Sequence, residues 1–200
     1  MRIILATRNN NKLREIRSIL RGLKVPIISL NESESAVRIK ETGSTFFENA
    51  LKKAMLVSKK HPHDFIIGED SGLEVDCLGG RPGIFSKRYS GKNANDIKNN
   101  KKLLKELMGV SWRQRKACFR CVVALVKNGK LIKKVEGCLR GIINSDSVGR
   151  SGFGYDPVFY LPHYKRTVAQ LTLYTKNKIS HRAGAFRKMK KFLASYLKNK

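Results

Sequence analysis

The sequence predicts an α/β protein whose strands form a mixed β-sheet. In the first half of the chain, short apolar runs alternate with segments of helical periodicity, an order that is typical of parallel strands joined by helices. Later, two long β-type runs over 115–126 and 130–143 are joined by Asn128–Gly129, which predicts an antiparallel hairpin. A chain of 200 residues is expected to form one domain or two closely joined lobes.

The first half of the chain is predicted to contain strands and helices in alternation. Thr45 is expected to cap the second helix, with Glu48 completing a capping box, and Gly22 is expected to end the first helix. In chain order the elements are a strand over Arg2–Ala6, a helix over Lys12–Arg21, a strand over Val25–Leu30, a helix from Thr45 to about Lys60, and a short buried strand from Phe65 with Glu69–Asp70 just past its end.

The second half is predicted to add the hairpin and two amphipathic helices. One helix covers Asn95–Met108, and a closing helix over Ala183–Leu197 carries an apolar stripe on one side and basic residues on the other. Residues 78–83 and 145–154 are expected to be loops because they are rich in glycine and other turn-forming residues. Residues 165–181 are expected to be irregular or partly helical.

The chain is strongly basic, with 42 Lys and Arg residues against 15 Asp and Glu residues and a formal charge of +27. This charge favours anionic partners such as nucleotides, nucleic acids or membrane surfaces, without choosing between them. No apolar stretch approaches the roughly 20 residues that a membrane span requires, and the opening apolar run is too short for a signal peptide. A cytoplasmic location is the default expectation, with the four cysteines reduced.

Acidic residues concentrate in one segment of this basic chain. Five of the 15 fall between positions 64 and 76: Asp64, Glu69, Asp70, Glu74 and Asp76. Adjacent carboxylates repel each other unless a cation or a proton neutralises them, and hard oxygen ligands suit Mg²⁺. Glu41, which precedes a helix, could meet Glu69 and Asp70 over a metal, and one of the three could deprotonate water. The alternative is a solvated turn after the strand, and the other three acids of the segment are expected to be bystanders.

A polar segment follows the first strand, where the chain is predicted to enter its first helix. Thr7, Asn9 and Lys12 offer a hydroxyl, an amide and an ammonium there, and the N–H groups at a helix start attract anions. The side chains and the N–H groups could together bind phosphate oxygens, although the glycine-rich Walker pattern is absent. The alternative is an ordinary polar loop between a strand and a helix.

Two further clusters could bind a ligand. Phe153–Asp156 combines an aromatic ring that could stack on a base with a carboxylate that could accept from a base N–H. The alternative is a structural turn before Pro157. Lys176 and the pair His181–Arg182 place positive charge near the start of the last helix, which is unfavourable without an anion or a carbonyl-rich ligand. The alternative there is a solvated basic helix start.

The order of the short motifs is more specific than any one of them. They are Thr-x-Asn-x-x-Lys, Glu-Thr-Gly before a helix, Glu-Asp-Ser-Gly-Leu, Pro-Gly-x-x-Ser-x-Arg-Tyr, Gly-Phe-Gly-Tyr-Asp-Pro-x-Phe and Ser-His-Arg. From Ile4 to the last helix, this series closely resembles the inosine triphosphate pyrophosphatase family, also called the Ham1/RdgB-like non-standard purine nucleoside triphosphate pyrophosphatases.

The resemblance implies hydrolysis of the α–β phosphoanhydride of ITP, dITP, XTP and dXTP to the nucleoside monophosphate and pyrophosphate, with Mg²⁺ as cofactor. It implies that Glu41 and Asp70 bind the metal and that Asp70 is also the base, while Glu69 stands beside them as a third candidate ligand. The implied phosphate-binding motif comprises Thr7, Arg8, Asn9, Asn10, Asn11 and Lys12. The implied substrate contacts comprise Ser71 and a purine-recognition set of Phe153, Gly154, Tyr155, Asp156, Lys176, His181 and Arg182.

For the fold, the resemblance implies an elongated α/β domain over residues 1–200, with a twisted mixed sheet flanked by helices and a cleft between two lobes. Family members are usually homodimers, and no membrane or specific nucleic-acid partner is expected. One alternative is a Maf-type pyrophosphatase of different base preference, which Phe153–Asp156 and Ser180–Arg182 argue against. The alternative from another class is a basic nucleic-acid-binding protein, although no helix-turn-helix, zinc-finger or RNA-binding aromatic motif is present.

Overall fold

The computed structural model describes residues 1–33, 37 and 39–198. The helices are α1 Asn10–Leu20, α2 Phe46–Ser58, α3 Asp96–Glu106, α4 Leu173–Ile179 and α5 His181–Lys198. The strands are β1 Ile3–Leu5, β2 Ile27–Ser29, β3 Phe65–Val75, β4 Lys116–Lys127, β5 Lys130–Ile143, β6 Phe159–Leu161 and β7 Arg166–Thr167. Within the described residues, no helix is both long enough and apolar enough to cross a membrane.

The strands form one mixed sheet in the order β2-β1-β3-β4-β5-β6-β7. β1 runs parallel to both of its neighbours, with Ile3 opposite Ile27 on one side and Phe65 on the other. β6 runs antiparallel to β5 and β7. The predicted α/β class with a mixed sheet is therefore confirmed.

The chain divides into two compact units. Unit 1 comprises Met1–Ser71, Cys121–Gly137 and His181–Lys200, and unit 2 comprises Gly72–Arg120 and Cys138–Ser180. The border crosses β3, β4 and β5, so each of these strands contributes residues to both units. The single domain of two lobes with a cleft stays a prediction.

Unit 1 has apolar clusters on both faces of its part of the sheet. Alternate residues of β1 belong to different clusters, because successive side chains of a strand point to opposite faces. Ile3 is buried with apolar residues of α1 and α5, including Leu13 and Phe186. Ile4 is buried with Ala54 and other apolar residues of α2. The sheet of unit 1 is thus covered by α1 and α5 on one face and by α2 on the other.

Gly68 lets α2 lie directly on β3. A Cβ atom at this position would lie 1.9 Å from the carbonyl oxygen of Ala50, which no side chain could accept without moving the helix. This close approach matters for the site, because Lys53 of α2 follows Ala50 by one turn and Asp70 follows Gly68 on the same face of the strand.

Unit 2 has its own apolar core. Phe119 of β4 and Phe159 of β6 lie side by side there, with ring centroids 4.3 Å apart, and both belong to one buried cluster with Leu103 and Tyr155.

The predicted hairpin is confirmed between β4 and β5. Asn128 and Gly129 adopt φ values of +48° and +68°, as a tight two-residue hairpin turn requires.

The helix predictions are confirmed with small shifts at the ends. Thr45 accepts from the Glu48 backbone N–H at 3.1 Å, but the Glu48 carboxylate accepts from Ser44 rather than from Thr45, so only one half of the predicted capping box forms. The first helix ends at Leu20, before Gly22 with φ +91°. The closing helix begins at His181.

The prediction that the strand from Phe65 ends at the acidic pair is wrong. β3 continues to Val75, so Glu69 and Asp70 lie inside the strand, where they are 3% and 6% exposed. A strand holds adjacent buried carboxylates only if other elements supply the neutralising charge. Those charges come from distant parts of the sequence, which the local pattern could not indicate.

Candidate active site

Glu69 and Asp70 meet different cations because they are successive residues of β3 and point to opposite faces of the strand. Glu69 forms ion pairs with Lys12 of α1 and Arg182 of α5. Asp70 lies beside Lys53 of α2. The acidic pair is thus divided between two ionic clusters within unit 1.

The Glu69 carboxylate is the centre of the first cluster. Lys12 Nζ donates to its Oε2 at 2.7 Å, and Arg182 donates to its Oε1 through Nε at 3.2 Å and Nη2 at 3.0 Å. The thiol of Cys121 lies 3.5 Å from the same Oε1. Burial alone would raise the pKa of Glu69, but the charges of Lys12 and Arg182, with a further contribution from Lys53, outweigh it and hold this pKa well below its usual range.

Arg182 is buried, and its guanidinium donates hydrogen bonds to side chains of unit 1. Its Nη1 donates to Glu15 Oε2 at 2.6 Å, and its Nη2 also donates to Ser71 Oγ at 2.9 Å. Burial would lower its pKa, but Glu69 and Glu15 raise it above the ordinary value. The anions that compensate positive charge at this helix start are therefore two carboxylates of the chain itself. Purine contacts by Arg182 and a substrate contact by Ser71 stay predictions.

Lys53 is a candidate site residue that the sequence analysis did not single out. Its buried ammonium donates to Glu41 Oε1 at 2.6 Å, to Asp70 Oδ1 at 3.0 Å and to the main-chain oxygen of Glu69 at 3.0 Å. Burial favours a lower pKa, but Asp70 and Glu41 raise it, so the ammonium stays charged. A sequence signal existed, because Lys53 interrupts the apolar stripe of α2 between Ala50 and Val57.

Asp70 is the predicted base, and its surroundings shift its pKa upward. Burial raises its pKa, and the like charge of Glu41 adds to this effect, while Lys53 and Lys12 oppose it. A carboxylate with a raised pKa takes a proton from water more readily than an ordinary aspartate does. Since Lys53 occupies Oδ1, the other carboxylate oxygen is the one that a water molecule would approach.

The segment from Thr7 to Lys12 forms the entrance to α1. Asn9 caps the helix, because its side chain accepts from the Lys12 backbone N–H at 3.1 Å, and Thr7 Oγ1 accepts from the Asn9 N–H at 3.2 Å. Asn10 and Asn11 are exposed in the first helical turn. Arg8 turns instead to Asn31 Oδ1 and the Val37 oxygen, each at 3.1 Å. The predicted strand–loop–helix arrangement is present, and its phosphate binding stays a prediction.

In unit 2, the structure brings Phe153, Asp156 and Lys176 together. Lys176 Nζ donates to Asp156 Oδ2 at 2.5 Å and lies 4.5 Å from the centroid of the Phe153 ring. The same Asp156 oxygen accepts from the Phe153 N–H at 2.9 Å. A Cβ atom on Gly152 would lie 2.1 Å from this oxygen, so glycine is needed for the loop to wrap around the carboxylate.

Two residues of α3 hold this loop in place, and the sequence analysis did not single them out. Asp96 Oδ2 accepts from the Gly154 N–H at 2.7 Å, and Asn100 Nδ2 donates to the Gly154 carbonyl at 3.0 Å. Tyr155 is buried and donates its hydroxyl to the Ser86 carbonyl at 2.8 Å, so its contacts anchor the loop. No local pattern distinguishes these helix residues from other polar residues of α3.

His181 and Arg182 belong to unit 1, where both are buried in the first turn of α5. Gly137 of β5 makes room for this helix start, because a Cβ atom there would lie 2.1 Å from the His181 carbonyl oxygen. The predicted purine-recognition set is therefore divided between the units. The joint action of these residues stays a prediction.

The residues of unit 1 fit a magnesium ion with two protein ligands. Glu41 and Asp70 already converge on one cation, the Lys53 ammonium, and Mg²⁺ is commonly held by one or two carboxylates together with substrate phosphates. Glu69 is directed to Lys12 and Arg182 instead. In the part of the chain that the structure describes, no three acidic, His or Cys side chains are grouped as a metal site, so the predicted three-carboxylate set is not assembled.

Comparison with known proteins shows which family this chain resembles over its length. The model of the Ham1 family matches residues 3–192. A dITP/XTP pyrophosphatase of Clostridium perfringens is 46% identical over 204 residues, covering 98% of this chain and 99% of that protein. A dITP/XTP pyrophosphatase of Bacillus licheniformis is 46% identical over 191 residues, covering 96% and 97%.

Solved structures agree as well. A HAM1 protein from Coxiella burnetii is similar with a TM-score of 0.89 and 39% identity, covering 98% of this chain and 99% of that one. The Ham1 protein of Staphylococcus aureus is similar with a TM-score of 0.88 and 37% identity, covering 98% and 100%. Fold, sequence and family model coincide over nearly the whole chain, and the protein therefore belongs to the Ham1 family.

Proposed function

We propose that the protein hydrolyses non-canonical purine nucleoside triphosphates, dITP, ITP, XTP and dXTP, to the nucleoside monophosphate and pyrophosphate. One structural observation carries this proposal. Glu41 and Asp70 share the buried Lys53 ammonium, beside the cluster in which Lys12 of α1 reaches Glu69. Such an arrangement combines a carboxylate base, oxygen ligands and positive charges, which are the groups that phosphoanhydride hydrolysis requires. The names of the relatives from Clostridium perfringens and Bacillus licheniformis support the same reaction.

Glu41 and Asp70 are the residues that would hold Mg²⁺. When bound, the ion would neutralise charge on the triphosphate and make the α-phosphorus easier to attack. The buried Lys53 adds positive charge at the same place, so part of the electrostatic stabilisation belongs to the protein itself.

Asp70 is the residue that takes the proton from the attacking water. Its raised pKa suits this step, and Lys53 fixes its orientation by bonding one oxygen at 3.0 Å. As the proton arrives, the negative charge beside Lys53 falls, and the adjacent Glu41 keeps the ammonium paired at 2.6 Å. The Lys53 ammonium therefore keeps one charged partner while Asp70 changes its protonation state.

Lys12 and the entrance to α1 are assigned to the phosphates. An ammonium has three protons, so Lys12 can keep its bond to Glu69 and still donate to a phosphate oxygen. The first turn of α1 adds N–H groups and the positive end of the helix dipole. Together these groups would stabilise the negative charge that develops on the leaving pyrophosphate.

The nucleotide base is assigned to the Phe153–Asp156 loop of unit 2, with Lys176 as a further donor. His181 and Arg182 belong to unit 1, and their base contacts stay predictions. Phe153 offers a ring for stacking, and Asp156 offers oxygens that accept from a base N–H. Donors can meet the 6-oxo group of hypoxanthine or xanthine. The 6-amino group of adenine would present a donor to donors and leave buried groups unpaired. Binding of adenine nucleotides would therefore be strongly disfavoured.

Pyrophosphate release from ITP, XTP, GTP and ATP, with and without Mg²⁺, tests this function. We expect fast release from ITP and XTP that depends on the metal, and slow release from ATP. Equal rates on ATP and ITP would contradict the base assignment. Metal-independent release would contradict the assignment of Glu41 and Asp70 as ligands. Preference for another base would favour the Maf-type alternative.

A homodimer is proposed on the family resemblance alone. Light scattering on the purified protein, across a range of protein concentrations, measures the molar mass directly. Twice the 22.7 kDa of one chain is the expected result, and a value equal to one chain at all concentrations would contradict it.

A further inference from the structure

A basic groove lies in unit 1 between β5 and α5, away from the residues assigned to the nucleotide. It has a volume of about 610 Å³, and the lining residues that matter are Lys133, Lys134, Glu136, Lys188, Lys191 and Phe192. We call it the β5–α5 groove. All four lysines are exposed, and none of them takes part in the proposed reaction.

The groove carries an excess of positive charge. Its one acid among these residues, Glu136, is half-buried and already pairs with Lys134 at 2.7 Å. Lys188 donates to the main-chain oxygen of Glu136 at 2.8 Å. Lys134 also lies 4.5 Å from the ring centroid of Phe47 of α2, on the opposite face of β5 from Lys133. The positive charge on the α5 side therefore comes from Lys133, Lys188 and Lys191, and their mutual repulsion is relieved only by counterions or by an anionic partner.

An aromatic ring lies within this positive field. Phe192 is half-buried and packs against Tyr196, with ring centroids 5.5 Å apart and planes inclined by 31°. The ammonium of Lys133 lies 5.4 Å from the centroid of the Phe192 ring. The ring is held by its neighbour, whereas the flexible lysine can move aside for another planar group.

We propose that the β5–α5 groove binds a single strand of nucleic acid without sequence preference. The lysines from the two sides would contact the phosphates, and Phe192 would stack on a base. Proteins that bind single strands combine these two features, a basic groove and an aromatic platform. Lys188 and Lys191 lie on one face of α5 about 4.5 Å apart along its axis, so the contact covers only a few nucleotides and the binding is salt-sensitive.

Other occupants fit the groove less well. A second copy placed groove to groove would bring lysines against lysines, which opposes association. An anionic membrane surface would attract the lysines, but the apolar residues of the lining, Val135 and Phe192, are buried and half-buried, so the groove presents no exposed apolar side chain for insertion into lipid. An acidic protein segment would satisfy the charges and leave the aromatic face without a partner.

The test compares two variants of equal charge. The groove variant carries Lys133→Gln, Lys188→Gln and Lys191→Gln. The control carries Lys92→Gln, Lys101→Gln and Lys105→Gln, at three exposed lysines of unit 2. Binding of labelled oligo(dT) and oligo(U) of about 20 nucleotides is followed by fluorescence anisotropy over a range of salt concentrations. Unchanged pyrophosphate release from ITP shows that each variant is folded.

Three phosphate contacts predict a slope of roughly −2 for log K against log salt in the natural protein. The groove variant should lose most of this slope and bind roughly 100-fold more weakly at about 0.15 M salt. The control should bind like the natural protein, and Phe192→Leu should weaken binding by about tenfold without changing the slope.

Several results would overturn the proposal. Equal losses in the groove variant and the control would mean that total charge alone attracts the strand. Absence of oligonucleotide binding by the natural protein would exclude the partner. Preferential binding to vesicles that contain an anionic lipid, or to polyglutamate, would identify one of the other occupants. A change of molar mass in the groove variant would point to a second copy.

Discussion

The buried ammonium of Lys53 donates to the buried carboxylate of Asp70 at 3.0 Å, and the two residues come from the helix α2 and the strand β3. This pair links the fold to the proposed reaction. Gly68 lets α2 approach β3 closely enough for the contact, and Glu41 closes the cluster from the segment before α2. Removing either partner therefore has consequences for both stability and catalysis.

Lys53→Met keeps the length of the side chain but removes the charge. It leaves Asp70 and Glu41 close together without their cation, so we expect a loss of about 3–5 kcal/mol of unfolding free energy and a fall in kcat of about 100-fold or more. Urea unfolding and pyrophosphate release measure the two effects. Lys60→Met, on an exposed residue just past α2, is the matched control and should change neither. A Lys53→Met variant with natural kinetics would remove this residue from the site.

Asp70→Asn tests the base directly. The substitution keeps the shape and one acceptor, so the fold should persist while turnover falls by about 10²–10⁴-fold. Circular dichroism checks the fold, and ITP hydrolysis measures the turnover. Asp76→Asn, on an exposed acid six positions later in the chain, serves as the control and should be as active as the natural protein. Near-normal turnover in Asp70→Asn would exclude Asp70 as base and as metal ligand.

Lys12→Ala should weaken binding of the triphosphate. A bond from an ammonium to a phosphate contributes about 1.5–3 kcal/mol, so KM for ITP should rise by about 10–100-fold. Steady-state kinetics measure this change. Arg14→Ala removes an exposed basic residue of the same helix and controls for loss of charge. Unchanged kinetics in Lys12→Ala would count against the phosphate assignment of the α1 entrance.

The pH dependence of stability should report on Glu69. Burial acts against the charged form, but Lys12 and Arg182 lower the pKa of this carboxyl well below its usual range. A lowered folded-state pKa stabilises the fold above the unfolded-state pKa of about 4.3, and this contribution is lost as the pH falls through the folded-state pKa. Thermal unfolding of Glu69→Gln and the natural protein should thus differ most near neutral pH. A difference that grows on acidification would contradict the assigned ion pairs.

Local sequence signals predicted much of the fold. The hairpin between β4 and β5 was predictable because Asn128–Gly129 determines its turn within two residues. The helices were predictable from their caps and apolar periodicity. The site was harder to predict, since Lys12 and Arg182 are separated from Glu69 by 57 and 113 positions along the chain. Without those partners, two adjacent carboxylates in a sequence indicate the end of a buried strand and not its middle.

The partners of Lys53 could not be predicted from the local sequence either. A lysine on the apolar face of a helix is a recognisable anomaly, but only the packing of α2 on β3 identifies the carboxylates that it pairs with. The loop from Phe153 to Asp156 was recognisable by its aromatic and glycine residues. Its support by Asp96 and Asn100 depends on tertiary contacts of α3, which leave no mark on the local sequence.

The reaction proposed for this protein is cleavage between the α- and β-phosphates of a 6-oxopurine nucleotide. Phosphorus NMR identifies the products of ITP hydrolysis, with ATP as the parallel substrate. We expect IMP and pyrophosphate in equal amounts, with far slower conversion of ATP. Formation of IDP and inorganic phosphate, or equal conversion of ATP, would contradict it.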